Sequence, residues 1–286
     1  VVLDNAVVRT AIGRISITGT GGDSDLAMSH GVVLTNGSIV KSGKGGDIEI
    51  FGHASTTSFE GLTTMGGYGI NLEDAQSEIR SEGAAGANAV GITPGGAGQN
   101  GGNINLIGYR GDVVINGRVT SEGGRGGNGA NGATPGGAAV MAGDGGRGGD
   151  VHVEADYGDS YDLRIESTGV VRSVGGAGGT SGNGAAGAVG TNATASVAAT
   201  SGGGGGGSVG ANGGDGGSVT LLGGWNTVVT GQVYSQGGAG ANGGTGGAGG
   251  SGGIAPPQLS GDLQNKLNTL MQLALNQGYD TQNLMR

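Results

Sequence analysis

The chain has 286 residues, among them 75 Gly, one Trp, six Tyr, two Phe and no Cys, and its formal net charge is −9. This composition excludes disulfide staples and disfavours an ordinary packed globular domain, in which glycine is several times rarer. The 13 basic residues are outnumbered by 22 acidic ones, so we expect no nucleic-acid partner, and no apolar run approaches the roughly 20 residues of a membrane helix, so we expect no membrane span.

A repeated unit dominates the sequence. Its clearest copies are GGNINLIGYRGDVVINGRVTSEGG over 101–124 and GGSVTLLGGWNTVVTGQVYSQGG over 216–238. Related copies begin at Gly45, at Gly148 and, in a shorter form, at Arg14. The opening segment VVLDNAVVRTAIG matches only the last two parts of the unit, as if the chain started part-way round a turn. The sequence therefore holds five full units and part of a sixth.

Each unit contains three short segments with the pattern of β-strands, which we name the first, second and third strands. Apolar and polar residues alternate in the first strand, as in a half-buried strand. Its apolar pairs are Ile15/Ile17, Ile48/Ile50, Ile104/Leu106, Val151/Val153 and Val219/Leu221. The third strand places a small hydroxyl residue two positions after an aliphatic one, at Val8/Thr10, Val40/Ser42, Ile79/Ser81, Val119/Ser121, Val171/Ser173 and Val233/Ser235. These recurring columns predict an all-β parallel β-helix of about six turns over residues 1–238, with three strands per turn.

At the residues of the 101–124 copy and of its four relatives, the sequence resembles the repeats of filamentous-haemagglutinin-like exoproteins, which are secreted bacterial adhesins. The resemblance covers most of residues 12–238. It implies a right-handed parallel β-helix and an extracellular or cell-surface location. We expect this chain to differ from that family in having no N-terminal secretion domain, and its glycine-rich inserts are larger.

Glycine-rich inserts lie between one unit and the next, at 83–101, 123–149 and 175–217, and a last arm with a Pro-Pro linker follows at 239–258. Glycine recurs there at every third residue, which is the period of a polyproline II helix. Every third side chain of such a helix lies on one line, and glycine on that line permits backbone contact. The glycines expected to pack are Gly123, Gly126, Gly129, Gly132, Gly143, Gly146, Gly149, Gly237, Gly240, Gly243 and Gly246.

These arms are predicted to be hairpins of two such helices, reversing at Pro94 and Pro135 and stacking on one another. Disordered loops are the alternative. In their period the arms resemble the glycine-rich bundles of snow-flea antifreeze proteins and the adhesin tips of some phage tail fibres.

One polar column recurs where the first strand begins, and its members are Asp47, Asn103, Asp150 and Ser218. Such a column is compatible with calcium shared between turns or with hydrogen bonds at the corner of the coil. Because carboxylates do not occupy every position, we predict the hydrogen-bonding role and no metal or cofactor.

Catalytic patterns are weak in this sequence. His30, His53 and His152 fall at different positions of the repeat, and the acids Asp156, Asp159, Asp162 and Glu166 belong to a single loop. We therefore expect no enzymatic activity.

The third strand also carries an outward, partly basic column. Its members are Arg9, Lys41, Arg80, Thr120, Arg172 and Tyr234. It is predicted to be solvated surface, and contact with an anionic surface polysaccharide is the alternative.

The residues from 259 to 286 have a different pattern, that of an amphipathic helix and a tail. One helical face holds Leu263, Leu267, Leu270, Met271 and Leu275. The helix is expected either to cap its own coil or to dock on a neighbouring copy.

A coil with strand edges at both ends can repeat one head-to-tail contact into an open filament. We therefore predict the structural subunit of an extracellular filament or matrix, a homopolymer in which the arms form a packing layer. The expected interface consists of Val1, Val2, Leu3 and Val233 together with the apolar face of the helix. The first alternative is a secreted adhesin or phage receptor-binding tip that recognises surface glycans through arm tips such as 138–142 and 192–200. The second alternative is an ice-binding protein.

Overall fold

The computed structural model describes residues 1–21, 30–54, 58–59, 62–63, 67–155, 161–192, 200–252 and 261–276. In chain order the elements are β1 (Val2–Asp4), β2 (Val7–Thr10), β3 (Ile15–Thr20), β4 (Val32–Thr35), β5 (Ile39–Ser42), β6 (Ile48–His53), β7 (Ser58–Phe59), β8 (Leu62–Thr63), β9 (Ile70–Leu72), β10 (Glu78–Glu82), β11 (Ile104–Tyr109), β12 (Val113–Ile115), β13 (Arg118–Glu122), β14 (Val151–Ala155), β15 (Leu163–Ile165), β16 (Val170–Val174), β17 (Val219–Gly223), β18 (Thr227–Val229), β19 (Gln232–Gln236) and α1 (Gly261–Asn276). The short pair β7 and β8 is antiparallel, and all other pairings between these strands are parallel.

Three parallel sheets form the body of the molecule. The first strands make a five-stranded sheet in the order β3-β6-β11-β14-β17. The second strands make a six-stranded sheet, β1-β4-β9-β12-β15-β18, and the third strands another, β2-β5-β10-β13-β16-β19. Each strand therefore pairs with the equivalent strands of the units before and after it. This arrangement is a parallel β-helix, and it confirms the predicted fold class.

The register of the sheets follows the sequence columns. Ile104 pairs with Ile48 on one side and with Val151 on the other, so equivalent residues lie directly above one another. Because successive side chains of a strand point to opposite faces, the aliphatic columns all turn inward. The buried residues form one continuous cluster along the coil: Ile15, Val32, Leu34, Val40, Ile48, Ile50, Ile70, Leu72, Ile79, Ile104, Leu106, Val113, Ile115, Val119, Val151, Val153, Ala155, Leu163, Ile165 and Val171.

The helix α1 presents apolar side chains to solvent. Leu267 and Leu270 are exposed, the latter to 63 %, and Met271 is half-buried. Leu263 and Leu275 lie outside the residues whose side chains are described. Over its described side chains, the apolar face of α1 is thus not buried against the coil. No helix among the described residues is long and apolar enough to cross a membrane.

Candidate functional site: the arm stack and the coil ends

The glycine-rich arms form two layers. We call the runs that leave the coil outgoing runs (83–91, 123–132, 175–190 and 237–252) and the runs that come back return runs (93–101, 137–149 and 200–217). Each outgoing run donates backbone hydrogen bonds to the next one at every third residue. The N–H groups of Gly123, Gly126 and Gly129 donate to backbone carbonyls of the run beginning at 175 or of the residue just before it, each over 2.9 Å. Return runs are joined in the same way, so the arms stack in register with the turns of the coil.

A second set of bonds joins the two layers. Gly143 donates to the carbonyl of Gly127 over 2.8 Å and Gly146 to that of Gly124 over 2.8 Å, so a return run is bonded to its own outgoing run. The next outgoing run then donates back, as Gly176 does to Gly146 over 2.8 Å. In each triplet of residues, one N–H group donates to the neighbouring run of the same layer and a second donates to a run of the other layer. The third residue of the triplet points outward. Three distinct directions are typical of a helix with three residues per turn.

The glycines of the inner runs lie where no side chain fits. A Cβ on Gly123 or Gly126 would overlap the backbone of the return run of the same arm, at Gly146 and Gly143 respectively. Gly129 and Gly132 meet the same obstacle, and Gly143, Gly146 and Gly149 would overlap the preceding return run. The last outgoing run differs. A Cβ on Gly237, Gly240, Gly243 or Gly246 would meet its nearest atom at 3.3 to 3.6 Å.

Two of the hairpins reverse within the described residues. The second reversal spans Thr134–Gly137, with Pro135 followed by Gly136 at φ 71°, as a type II turn requires. The first reversal differs from the prediction. Its closing pair is Val90 and Thr93, so the chain turns just before Pro94 rather than at it.

Buried serines hold the roots of the arms. The Ser121 hydroxyl donates to the carbonyl of Gly102 over 2.8 Å and accepts from the N–H of Gly149 over 2.9 Å. Ser81 and Ser173 each make the same two kinds of bond one layer away. The third-strand hydroxyl column thus satisfies backbone groups at the points where the chain re-enters the coil.

The polar column at the start of the first strand is a ladder of hydrogen bonds. Asp47 accepts from the N–H of Asn103 over 2.8 Å, Asn103 from Asp150 over 2.9 Å, and Asp150 from Ser218 over 2.8 Å. These carboxylate and amide oxygens face backbone donors, which is the corner role predicted from the sequence. Among the described residues, no group of three or more His, Asp or Glu side chains is placed to hold a metal ion.

Similar ladders run through the arms and serve the outward N–H groups. Asn88 accepts from the N–H of Asn128 over 2.9 Å, and Asn128 accepts from Thr180 over 3.0 Å. Asn183 accepts in the same way from Thr245. Sequence reasoning missed these ladders, although the recurrence of Asn at one phase of the triplets was a signal for them.

Asp150→Asn is expected to make the fold less sensitive to acid. The hydrogen bond from Ser218 N–H lowers the pKa of Asp150, burial opposes this, and Arg147 adds to the lowering. Because the folded pKa lies below that of the unfolded chain, the carboxylate stabilises the fold above the unfolded value, and this contribution is lost as the pH falls through the folded pKa. An amide can accept the same bond, as Asn103 does. From about pH 5 to about pH 2, the melting temperature of the variant should therefore fall less than that of the native chain. Identical pH profiles would contradict this assignment.

Two members of the outward basic column form ion pairs with glutamates. Lys41 lies 2.6 Å from Glu82, and Arg80 lies 2.7 Å from Glu122. The hydrogen bond from Lys41 lowers the pKa of Glu82, and the charge of Arg80 adds to this effect. Arg172 donates to two side chains of its own column. Lys41 and Arg80 are thus paired with carboxylates, whereas the partners of Arg172 are uncharged hydroxyls.

Aromatic rings gather at the corner between the first and second strands. His53 stacks on Tyr109 with ring centroids 4.4 Å apart, and His30 stacks on Tyr68 at 5.1 Å. Trp225, at the same corner of the last unit, is 72 % exposed. Sequence reasoning missed this cluster, although His53 and Tyr109 occupy the same register position.

The outward face of the first-strand sheet has an open groove of about 300 Å³. Glu49, Asn105 and His152 lie along it, and His152 Nε2 is 2.9 Å from Glu154. The other two histidines lie in the aromatic stacks, so the structure does not bring the three together.

The predicted acidic loop is only partly described. Asp156 and Asp159 lie outside the described residues. Asp162 accepts a hydrogen bond from the Asn226 side chain over 3.0 Å, and Glu166 is paired with a neighbouring arginine. The described acids of this loop therefore have structural partners.

The two ends of the coil expose apolar strand residues. At one end Val2 is 66 % exposed and Val1 is exposed, while Leu3 packs partly against the core. At the other end Val229, which continues the inward column of Ile165, is 46 % exposed. Val233 also packs partly against the core there. Val2 belongs to the outward column of the second strands, so the incompletely covered core columns end at Leu3 on one side and at Val229 and Val233 on the other.

The fold and the arms define a parallel β-helix that carries a hydrogen-bonded stack of glycine-rich arms. A scan against protein-family models, a search of curated proteins and a search of solved structures each returned no match.

Proposed function

We propose that this protein is the structural subunit of an extracellular or cell-surface filament or matrix, in which coils join head to tail. The observation that carries the proposal is that, among the described residues, no strand pairs with the outer edge of the first or the last strand of each parallel sheet. β17, β18 and β19 are the outermost strands at one end, and β1, β2 and β3 at the other. An edge strand with free backbone groups is a template for another strand, and a head-to-tail contact between different edges repeats without closing.

The third strands at the two ends carry residues that match in chemistry. If the third-strand register continues from one copy to the next, Val8 is placed over Val233, and Arg9 over Tyr234. Within the chain, Arg172 already donates to the Tyr234 hydroxyl over 3.0 Å. The contact between copies therefore repeats pairings that stabilise the coil internally.

Val229→Lys is the variant that tests this contact. Val229 is the last member of an inward column, so a charge there has to be buried when a second coil stacks on it, whereas in a single chain it reaches solvent. Val228→Lys is the matched control, because Val228 follows Arg164 on the outward face. Electron microscopy should show rods with a regular axial repeat for the native chain and the control, and none for Val229→Lys. Native chains that remain single particles would overturn the proposal, as would Val229→Lys rods equal to native ones.

A second candidate function is a secreted adhesin or receptor-binding tip, and one observation favours it. Apolar side chains are exposed at the distal ends of the arms: Val90, Ile92 at 94 %, Met141 and Val189. Of the predicted arm tips, 193–199 lie outside the described residues. Ile92→Ser combined with Val90→Ser should abolish binding to cells or glycans under this alternative and leave rods unchanged under the first.

A further inference from the structure

Aromatic side chains are scarce in this chain and are concentrated on one part of the coil. Five of the nine lie on the outward face of the first-strand sheet, or at the corner where that face meets the second strands: Phe51, Tyr109, Tyr68, Tyr161 and Trp225. The buried cluster of the coil consists of Ile, Leu, Val and Ala alone, and only Tyr161 of these five packs partly against it. Forming the core therefore does not explain why the aromatic rings gather here.

The outward face of the first-strand sheet changes from polar to aromatic along β6 and β11. In chain order, the outward residues that pair across these two strands are Glu49 with Asn105, Phe51 with Ile107, and His53 with Tyr109. We call these six residues the sheet platform. All six are half-buried. Successive outward residues of a strand lie about 7 Å apart, so polar groups, apolar side chains and aromatic rings adjoin one another on this face.

The polar end of the sheet platform opens into the groove of about 300 Å³ that Glu49, Asn105 and His152 line. This volume is at the lower end of the roughly 300 to 1,000 Å³ of small-molecule sites. The amide of Asn105 faces the groove, and no described group forms a hydrogen bond with it. It therefore offers a ligand two N–H donors and one carbonyl acceptor.

The charges around the groove disfavour an anionic ligand. Of the three carboxylates that line it, Glu49 is paired with Arg14, and Asp150 with Arg147 over 3.0 Å. The third, Asp47, accepts a backbone hydrogen bond and has no cationic partner in the part of the chain that the structure describes. An anion would meet this uncompensated carboxylate, whereas a polar, uncharged ligand would not be repelled.

A sugar ring combines an apolar C–H face with an edge of hydroxyl groups that donate and accept hydrogen bonds. The sheet platform offers matching surfaces, because rings and an aliphatic side chain lie beside a free amide. We propose that the sheet platform and its groove bind an uncharged polysaccharide, with sugar rings packed on Phe51, Ile107 and Tyr109 and hydroxyl groups bonded to Asn105 and Glu49.

This site differs in place from both proposed functions. The sheet platform lies on the side of the coil, away from the coil ends that would join copies and from the arm tips of the second candidate function. A rod of joined coils would therefore present one platform per copy, and such multivalent display strengthens binding to a long polymer.

Native gel electrophoresis in the presence of a soluble polysaccharide tests the proposal, because binding slows migration. The uncharged probes are dextran, hydroxyethylcellulose and galactomannan, and the anionic probe is polygalacturonate. All chains carry Val229→Lys, which removes end-to-end contacts. At least one uncharged probe should retard this chain more than polygalacturonate does. Unchanged migration with all three uncharged probes overturns the proposal, as does equal or stronger retardation by polygalacturonate.

Asn105→Leu places the binding on the sheet platform, because it keeps a side chain of similar size and breaks no described hydrogen bond. The apparent affinity for the retarding probe should fall at least about tenfold. Asn242→Leu is the matched control, since Asn242 is exposed on the last outgoing run, far from the platform. Full binding by Asn105→Leu, or an equal loss in Asn242→Leu, contradicts the assignment.

Tyr109→Ala tests the aromatic end of the platform and should also weaken binding at least about tenfold. Its control is Tyr234→Ala, which removes a half-buried ring from the outward face of another sheet. Full binding by Tyr109→Ala, or loss of binding in the Val90→Ser, Ile92→Ser chain instead, overturns the platform site. Rod formation is observed separately by electron microscopy of native chains, so the failure of end-to-end assembly and the failure of this site are distinguishable.

Discussion

Gly126→Val is expected to open the arm stack and to cost at least about 3 kcal/mol of stability. A Cβ on Gly126 would overlap the carbonyl of Gly143, and both groups are backbone, so neither can rotate away. Relief requires the two runs to separate, which breaks the bonds from Gly126 to Ala177 and from Gly143 to Gly127. Denaturant unfolding and amide exchange over 123–149 measure the effect.

Gly240→Val is the control for this substitution. The N–H of Gly126 donates to the residue before Gly178, and that of Gly178 donates to the residue before Gly240. The three glycines therefore occupy one column of the stack. At dilutions where chains are single, the Gly240 variant should lie within about 0.5 kcal/mol of the native chain, as exposed substitutions usually do. If both variants lose the same stability, the close backbone contact is not what holds the arms.

The coil could be predicted from the sequence because its signal is local. Alternation in a strand such as 104–109 shows which side chains turn inward, and the spacing of Val119 and Ser121 fixes the register of the next strand. The stacking partner then follows, since an aliphatic column is buried only when equivalent strands lie above one another. The buried clusters of the structure occupy these columns.

The arms were only partly predictable, because the periodicity shows which residues share a face of a run but not which other run that face contacts. The triplets indicate that Gly126 needs a bare backbone nearby, but they do not say whether that backbone belongs to its own hairpin or to the next. The answer depends on two sets of bonds, along and across the layers, that only three-dimensional packing defines. The same limit applies to Asp47, since a carboxylate suits a cation or an N–H donor equally well until the facing group is known.

The helix illustrates a further limit. An amphipathic pattern identifies Leu267 and Leu270 as one apolar face, but it does not identify what covers that face. Their exposure in the structure leaves the face open on the described residues. The aromatic corner was missed for another reason: His53 and Tyr109 differ in residue type, so their shared register position is easily overlooked.

Leu106→Ala is expected to destabilise the coil by about 3 to 5 kcal/mol, because it leaves a cavity in the core. Leu106 is fully buried and lies in one column between Ile50 and Val153. The ladders on both sides fix the spacing of its strand, so the cavity cannot readily close. Ile107→Ala, one residue along on the outward half-buried face, is the matched control and should cost about 1 kcal/mol. Chemical denaturation of the two variants checks the difference, and equal losses would place Leu106 outside a tightly packed core.

Leu106→Ala and Gly126→Val should differ in how far their effects on amide protection spread through the molecule. The arms are anchored to the coil through serines such as Ser121, which bonds the roots at Gly102 and Gly149. Loosening the coil at Leu106 therefore also removes the spacing on which the arms stack, and amide protection should fall in both parts. Gly126→Val acts on the arm side of that anchor, so the coil strands should keep their protection. Loss of coil protection in Gly126→Val would instead show that the arms stabilise the coil as strongly as the coil stabilises the arms.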